Sequence, residues 1–294
     1  TTVLAAWGTP VLLAPAMHTE MWDHPDTQRN VAKLAADGYT LVGPESGALA
    51  GGDEGPGRMA EPEAIVAALV QMLGSGDLTG WRVLVSAGGT REAIDPVRYI
   101  GNRSSGKMGN AIALAAAERG ASVTLVTSAR PPEDERLPVD VVPVETAQDM
   151  AHAVWSRAAD SHVAVLAAAV ADFRPRGPAS TKLRRADGTP PIELEPTPDI
   201  LQGVAAMSPR PFLVGFAAET GSLAEAVAKA KRKGVDLLVA NDVAKEASGF
   251  GTDTNEVSLI MPDGTTEPWG LMSKREVAHR LWDRIRAMRV GDAH

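Results

Sequence analysis

The stretch Val85-Ser86-Ala87-Gly88-Gly89-Thr90-Arg91-Glu92 sets a glycine pair directly after an apolar run, and Arg98–Gly109 follows with Asn102, Ser104, Ser105, Gly106 and Lys107. Glycines at a strand end let backbone N–H groups approach an anion. Ser104, Ser105 and Gly106 also precede a helix-like segment starting near Lys107, where exposed amides and the helix dipole favour phosphate. A tight strand-to-helix turn without a ligand explains the glycine pair alone equally well; the combined stretch favours binding. Gly101 to Lys107 fits G-x-x-x-x-G-K, yet Met108 stands where a P-loop has Ser or Thr for magnesium, and the stretch begins well beyond the strand end at Ser86. G-x-G-x-x-G is absent after that strand, which argues against a dehydrogenase.

Other runs end in the same way. Ala167–Phe173 offers small residues along which a ligand can lie, with Asp172 as a hydrogen-bond acceptor or metal-facing carboxylate; a locally satisfied loop aspartate is the plainer alternative. Thr181-Lys182-Leu183-Arg184-Arg185 concentrates basic charge in an acidic chain, either as a solvated face or as a loop that closes over a polyphosphate. Pro196–Leu201 reads as a helix start with Thr197 as cap and Pro198 in the first turn. Val214–Thr220 and Leu238–Asp242 add two more strand ends with polar and small residues. Such convergence on one side of a sheet marks a site better than any member alone. The six histidines are scattered without H-E-x-x-H spacing, so zinc is not expected.

The elements that must position these residues alternate. Strand-like runs at Arg82–Ser86, Ser122–Thr127, Val163–Ala168, Phe212–Phe216 and Asp236–Ala240 are separated by helix-like segments at Lys107–Arg119, Thr146–Ala159, Pro198–Met207 and Ser222–Lys233. This predicts an α/β fold, Rossmann-like and doubly wound, with a mostly parallel sheet and helices on both faces. Asn255–Met261 reads as a strand ending in a turn, and Lys274 to Met288 as a closing amphipathic helix. Asp172 to Thr197 reads as one long irregular segment, of a length that is usually functional or mobile, and within it Thr181 to Arg185 is expected to be mobile when empty and ordered by a triphosphate. Residues 74–80 are small and polar and are expected to link a segment over 1–73 to a domain over 81–294. In the first segment, Val11–Ala14 and Thr40–Val42 read as strands, and Thr27–Asp37 and Glu61–Leu73 as helices. That is only part of an α/β layer, expected to need further strands or a partner chain.

At 294 residues the chain is long enough for two cores. A net charge of −8 without a basic run argues against nucleic-acid binding, and no apolar run is long enough to span a membrane. Zero cysteines excludes disulfides and thiolate chemistry and makes the cytoplasm the expected address.

Trp81–Gly120, with Asp95–Ile100 followed by Asn102–Gly109, resembles phosphopantothenate–cysteine ligase of coenzyme A biosynthesis. Matches continue through Ala168–Phe173, Lys182, Pro198–Leu201, Gly215–Thr220 and Ala240–Asp242. The first segment, with Pro15-Ala16-Met17, Met21-Trp22 and Gly55–Pro62, resembles the C-terminal part of flavin-dependent phosphopantothenoylcysteine decarboxylase, which implies an incomplete flavodoxin-like α/β segment. Bacteria commonly fuse the two in this order, so the sequence looks like a bifunctional protein without the beginning of its decarboxylase. His18 stands where the decarboxylase family usually has asparagine, and the lid cysteine expected near Gly51 is absent. The resemblance therefore implies FMN only in an intact decarboxylase domain, with Met17 and His18 as remnants of its substrate site; residues 1–73 are not expected to hold FMN alone.

For the ligase, the resemblance implies that the carboxylate of 4′-phosphopantothenate attacks the α-phosphate of CTP, assisted by Mg2+, to give an acyl-cytidylate and pyrophosphate. The amine of L-cysteine then displaces the nucleotide. Asn102 and Lys182 are the implied catalytic residues. Gly89, Ser104, Gly106, Gly109, Asp172, Pro198, Asp199, Ile200, Leu201, Phe216, Lys229 and Lys233 are the implied nucleotide-binding residues, and Asp172 is a candidate for the metal. A homodimer through the ligase domain is expected, and a higher homo-oligomer where the decarboxylase domain is complete. A non-catalytic nucleotide-binding module of a flavoprotein assembly and a P-loop-like hydrolase are the alternatives.

Overall fold

In the computed structural model, which describes residues 11–49, 51–52, 54–73, 76–132, 138–185, 188, 191–219, 223–242 and 251–291, the chain divides into two units, Thr1–Ser75 and Gly76–His294. In the first, β1 (Leu12–Leu13) leads through α1 (Thr19–Asp23) and α2 (Pro25–Ala36) to β2 (Thr40–Leu41), which pairs with β1 in parallel. Pro25 opens α2 after His24, whose ring accepts from the Asp26 amide. An antiparallel hairpin not anticipated from the sequence, β3 (Glu45–Ala48) with β4 (Glu54–Arg58), precedes α3 (Pro62–Leu73). Its glycines and prolines hide the alternation by which strands are read. Among the residues of this unit whose burial is described, only Gly57 and Ala60 are buried.

The second unit is built on an eight-stranded sheet. In chain order its elements are β5 (Arg82–Ala87), β6 (Arg91–Ala93), β7 (Tyr99–Gly101), α4 (Lys107–Glu118), β8 (Ser122–Thr127), β9 (Val139–Pro143), α5 (Ala147–Ala158) and β10 (Val163–Leu166). After them come β11 (Phe173–Pro175), β12 (Leu194–Pro196), α6 (Ile200–Ala205), β13 (Phe212–Glu219), α7 (Leu223–Lys233), β14 (Leu237–Asp242), β15 (Thr254–Ile260), β16 (Thr266–Ser273) and α8 (Lys274–Gly291). The sheet order is β16-β15-β14-β13-β10-β5-β8-β9, parallel from β9 to β14 and antiparallel at β15 and β16. The chain leaves β5 toward β8 and later returns to β5's other side as β10. That reversal opens a crevice beyond the carboxyl ends of the two strands.

Strand side chains alternate between two cores. Val83 and Val85 pack with Ile112 of α4 and with Leu281 and Trp282 of α8, whereas Leu84 packs with Met150 and Val154 of α5 and Val204 of α6. Trp282, fully buried, satisfies its indole N–H on the Ile112 carbonyl at 3.0 Å. Thr146 and Asp149 form a capping box that fixes where α5 begins.

Two sequence expectations need correction. Of the expected linker 74–80, residues 76–80 belong to the second unit. Leu78 is fully buried and its amide donates to the Arg119 carbonyl, while Asp77 takes both Nε and Nη2 of Arg119 at 2.9 and 2.5 Å. The expected irregular segment 172–197 is closed at its base, where β11 and β12 pair antiparallel. Strands of three residues that end in proline are too short to show a period. Among the described residues, no helix is long and apolar enough to cross a membrane.

Candidate functional site

The crevice at the strand reversal is where the sequence-selected strand ends meet. A cavity there is lined by Ser104, Gly106 and Phe216, together with Ala167–Ala169 after β10 and Asn241 of β14. Gly106 caps α4 in the left-handed conformation, φ 77°, and makes no side-chain cap bond. The conformation requires glycine, and it turns the first amides of a twelve-residue helix toward the cavity without an intervening side chain. Gly89 bridges to Ala169 across the opening, so the β5 and β10 ends form one floor.

Asn102 sits at the lip. Its Nδ2 donates to the carbonyls of Ala169 at 3.1 Å and Val170 at 3.0 Å, which uses both amide hydrogens and fixes the side chain. The Oδ1 atom is thereby oriented as a neutral acceptor. Asn102 and Gly89 also line an adjoining cavity that shares Ser104 and Ser105 with the first.

Lys182 is exposed and lines neither of these cavities. Its loop is held at Leu183, whose amide donates to Asp95 Oδ2 at 3.1 Å and whose carbonyl accepts from Arg98 Nη2 at 2.6 Å. Asp95 belongs to the Asp95–Ile100 motif but to none of the implied site positions. Its carboxylate is fully buried and accepts from the amides of Val97 and Arg98 and from the Arg98 guanidinium. The Arg98 hydrogen bond, aided by these amides and opposed by burial, holds the Asp95 carboxyl well below the usual carboxylate range.

The remaining expected residues are spread around this centre. Asp172 is exposed, and its carbonyl accepts from the Thr197 amide. Thr197 is not the cap of α6: its hydroxyl donates to the Ala171 carbonyl, and Pro198 precedes the helix. Asp199 is the N-cap, accepting from the Gln202 amide, and it pairs with Lys233. Burial alone would raise the Asp199 carboxyl; the Lys233 ammonium and the Gln202 amide outweigh it, so the group lies below its ordinary value. Ile200 is buried and Leu201 packs beside it against β13. The side chain of Lys229 lies outside the described residues. Gly109 is buried on the face of α4 that packs against β5 and does not line the cavity. In the first unit, Met17 donates its amide to the Gly57 carbonyl, and His18 holds the N-cap position of α1 without a side-chain cap bond, its carbonyl accepting from the Trp22 amide.

Two lining residues escaped the sequence reading, Asn255 and Lys274. Lys274 is buried with its ammonium donating to the Thr252 carbonyl at 2.5 Å, and burial, then neighbouring Lys107, push it below the usual lysine range. Recognising the edge strand β16 was the signal that would have brought Lys274 back to the crevice.

Residues 78–288 match the DNA/pantothenate metabolism flavoprotein C-terminal domain, and residues 1–74 match the Flavoprotein family. The coenzyme A biosynthesis bifunctional protein CoaBC of Mycobacterium tuberculosis (strain ATCC 25618 / H37Rv) is 47% identical over 294 residues, covering 94% of this chain and 70% of that protein. The CoaBC of Bacillus subtilis (strain 168) is 41% identical over 292 residues, covering 98% and 72%. A solved C-terminal domain of CoaBC superposes with a TM-score of 0.60 at 39% identity, covering 74% of this chain and all of that one. A Cab2 variant in complex with phosphopantothenate-cysteine shares the fold, with a TM-score of 0.60 at 18% identity over 78% of this chain and 93% of that one. With a sheet whose strand ends converge on one crevice, and with relatives that cover 94% and 98% of it, the chain belongs to the family of bifunctional coenzyme A biosynthesis proteins.

Proposed function

We propose that the second unit is the ligase domain, residues 81–294 in the main, and that it joins 4′-phosphopantothenate to L-cysteine at the expense of CTP through an acyl-cytidylate. The observation that carries this reading is the convergence of the ends of β10, β13 and β14 and the uncapped start of α4 on one crevice, with Gly89 after β5 bridged to Ala169 and Asn102 tied to the Ala169 and Val170 carbonyls beside it. The amides of α4, with Ser104 and Gly106, receive phosphate oxygens. Phe216 and the Pro198–Leu201 turn, with Asp199 and Lys233, hold the nucleoside end, and Lys229 and Gly89 complete the contact set. In the first step a carboxylate oxygen bonds to the α-phosphorus and pyrophosphate leaves. Lys182 offsets the charge that grows there. In the second step the cysteine amine bonds to the acyl carbon, CMP leaves with the bonding pair, and the ammonium proton passes to solvent. Asn102 orients the acyl group without competing for that proton.

Mg2+ would accompany the triphosphate and neutralise its charge; it commonly keeps several waters and takes one or two carboxylates. Among the described residues no group of three metal-ligating side chains exists, and the exposed Asp172 is the single carboxylate this reading gives it. The Flavoprotein match supports FMN chemistry in a longer protein. In residues 11–73 no described helix follows a glycine- or serine-rich turn that would cradle a flavin phosphate, so no step is assigned to FMN here. The cysteine-free sequence fits the cytoplasm.

Lys182 lines none of the described cavities, and the unit exposes the apolar side chains of Val97, Tyr99, Phe173, Ile192 and Leu194, of which Ile192 shares a cavity with Leu183 of the lysine's loop. These support a homodimer in which Lys182 serves the partner's crevice, with a higher oligomer where the decarboxylase domain is whole. The test is pyrophosphate release from each of the four ribonucleoside triphosphates, with and without phosphopantothenate and cysteine. Release from CTP should require phosphopantothenate and not cysteine. Turnover without the acyl substrate would instead indicate a hydrolase, and nucleotide binding with no turnover a binding module.

A further inference from the structure

The turn Pro198–Leu201 leads into α6, a helix of six residues, too short to hold a position by its own hydrogen bonds. Contacts from other elements must hold it. Thr197, just upstream of the turn, is tied to the Ala171 and Asp172 carbonyls, and Asp199 pairs with Lys233 of α7. A further contact comes from α5, where the half-buried Trp155 donates its indole N–H to the Ile200 carbonyl at 3.2 Å. The same ring lies against the helix at Gly203: a Cβ there would stand 2.4 Å from Nε1, 2.6 Å from Cε2 and 2.8 Å from Cζ2. Only glycine allows that approach, so the indole sets the height of α6 as well as holding its first carbonyl. Leu201 in turn packs onto β13, where a Cβ on Gly215 would meet its Cδ2 at 3.2 Å.

We propose that Trp155 is a positioning residue for the nucleoside end of the site: through the Ile200 carbonyl and the Gly203 backbone it fixes the turn Pro198–Leu201 where a nucleotide meets it. The inference rests on the assignment of that turn to the nucleotide. Asp172 and Lys233 are assigned to the nucleotide themselves, so their polar groups exchange partners as it enters. Trp155 lines none of the described cavities, and its bond to Ile200 does not compete with the ligand. Packing alone would be served by any large apolar ring; a donor aimed at the first carbonyl of α6 is what an indole adds. Because it acts on the turn and not on the reacting atoms, it governs how tightly the nucleotide is held and leaves the rate at saturation alone.

The experiment titrates the full chain calorimetrically with CTP, without phosphopantothenate so that nothing turns over, and follows ligation in parallel. Trp155→Phe keeps an aromatic ring and removes the donor. Its dissociation constant for CTP should rise about threefold to tenfold, the range a neutral hydrogen bond supplies, while kcat at saturating CTP and the KM for 4′-phosphopantothenate stay within about twofold of the wild type. Gly203→Ala favours the helix but drives a methyl group into the indole, and should weaken CTP binding in the same way. A phenyl ring lacks Nε1, so Gly203→Ala should cost less in the Trp155→Phe background than in the wild type. Unchanged CTP affinity in either folded variant, or strictly additive losses, would overturn the inference. So would a fall in kcat with a rise in both KM values, which is what loosened packing alone produces. If Trp155→Phe does not fold, Gly203→Ala decides by the same readings. Weaker CTP binding by the variants of a chain whose wild type does not ligate sinks the ligase reading and keeps the inference; no CTP binding by the wild type sinks both.

Discussion

Asp95 accepts hydrogen bonds from the amides of Val97, Arg98 and Leu183 and from the Arg98 guanidinium, so one buried carboxylate ties the β6–β7 turn to the loop that carries Lys182. Asp95→Asn turns one acceptor atom into a donor facing Arg98. Pyrophosphate release should fall by about tenfold to a hundredfold, as expected when a charged group is displaced by an ångström or so, and the Leu183 amide should exchange faster. The pH dependence has a definite sign. Because the folded-state pKa lies below the unfolded one, Asp95 contributes stability fully above about pH 4 and loses it as pH falls through the folded value. The gap in urea midpoint between wild type and Asp95→Asn should therefore narrow from pH 6 to pH 3; a constant gap would deny the carboxylate its charge-paired role. Lys182→Gln keeps length but removes charge and should slow pyrophosphate release at saturating substrates by roughly 10²–10³. Arginine there should rescue only partly, because a planar fork differs from a compact ammonium. A near-wild-type rate would leave Lys182 a solvated charge.

Helix α4 reaches the crevice only because it lies unusually close to β5. A Cβ on Gly109 would stand 2.5 Å from the Ala87 Cβ and 3.0 Å from the Ser86 carbonyl oxygen, neither of which can yield without moving the strand. Gly109→Ala should lift the helix, cost about 1–3 kcal/mol by thermal denaturation and raise the KM for CTP as the α4 amides withdraw. Gly177, with open space around it, supplies a control at which alanine should leave both quantities unchanged. The sequence made these inner elements readable because β5, β8, β10, β13 and β14 have neighbours on both sides and carry nearly unbroken apolar runs. Both edge strands escaped it. β9 contains Asp140 and Pro143, and β16 contains Pro268 and Gly270, residues that an edge tolerates and a run-based reading discards. Missing β16 hid Lys274. Missing the three-residue pairing of β11 with β12 made a tethered loop look free. Motif matching found Asn102 and Ser104 because their contacts are local to one turn. It gave Asp95 no role, since the residue acts through Leu183, eighty-eight positions away.

At the scale of the whole molecule, the proposed two-fold assembly, lending Lys182 across its interface, would make each crevice a joint product of two chains. Lys182→Gln and Asn102→Ala homodimers should each be inactive, while their mixture should regain roughly a quarter of wild-type turnover, because half the dimers are mixed and one of their two sites is intact. No recovery after mixing and re-equilibration would assign the lysine to its own chain. Sedimentation of Phe173→Asp should show the accompanying shift to monomer. The junction between units has a practical meaning for anyone dividing the gene. Leu78 is fully buried, and Asp77 is gripped by Arg119 and by Arg286, so the second unit's foundation lies upstream of its first strand. A fragment cut at Trp81 would leave a leucine-sized hole, a loss of about 2–5 kcal/mol, and would strip the shielded Arg119 guanidinium of Asp77, leaving it the more exposed Asp283. Cut at Gly76, the same fragment keeps its keystone, and the difference should appear as soluble yield and melting temperature before any enzyme assay is run.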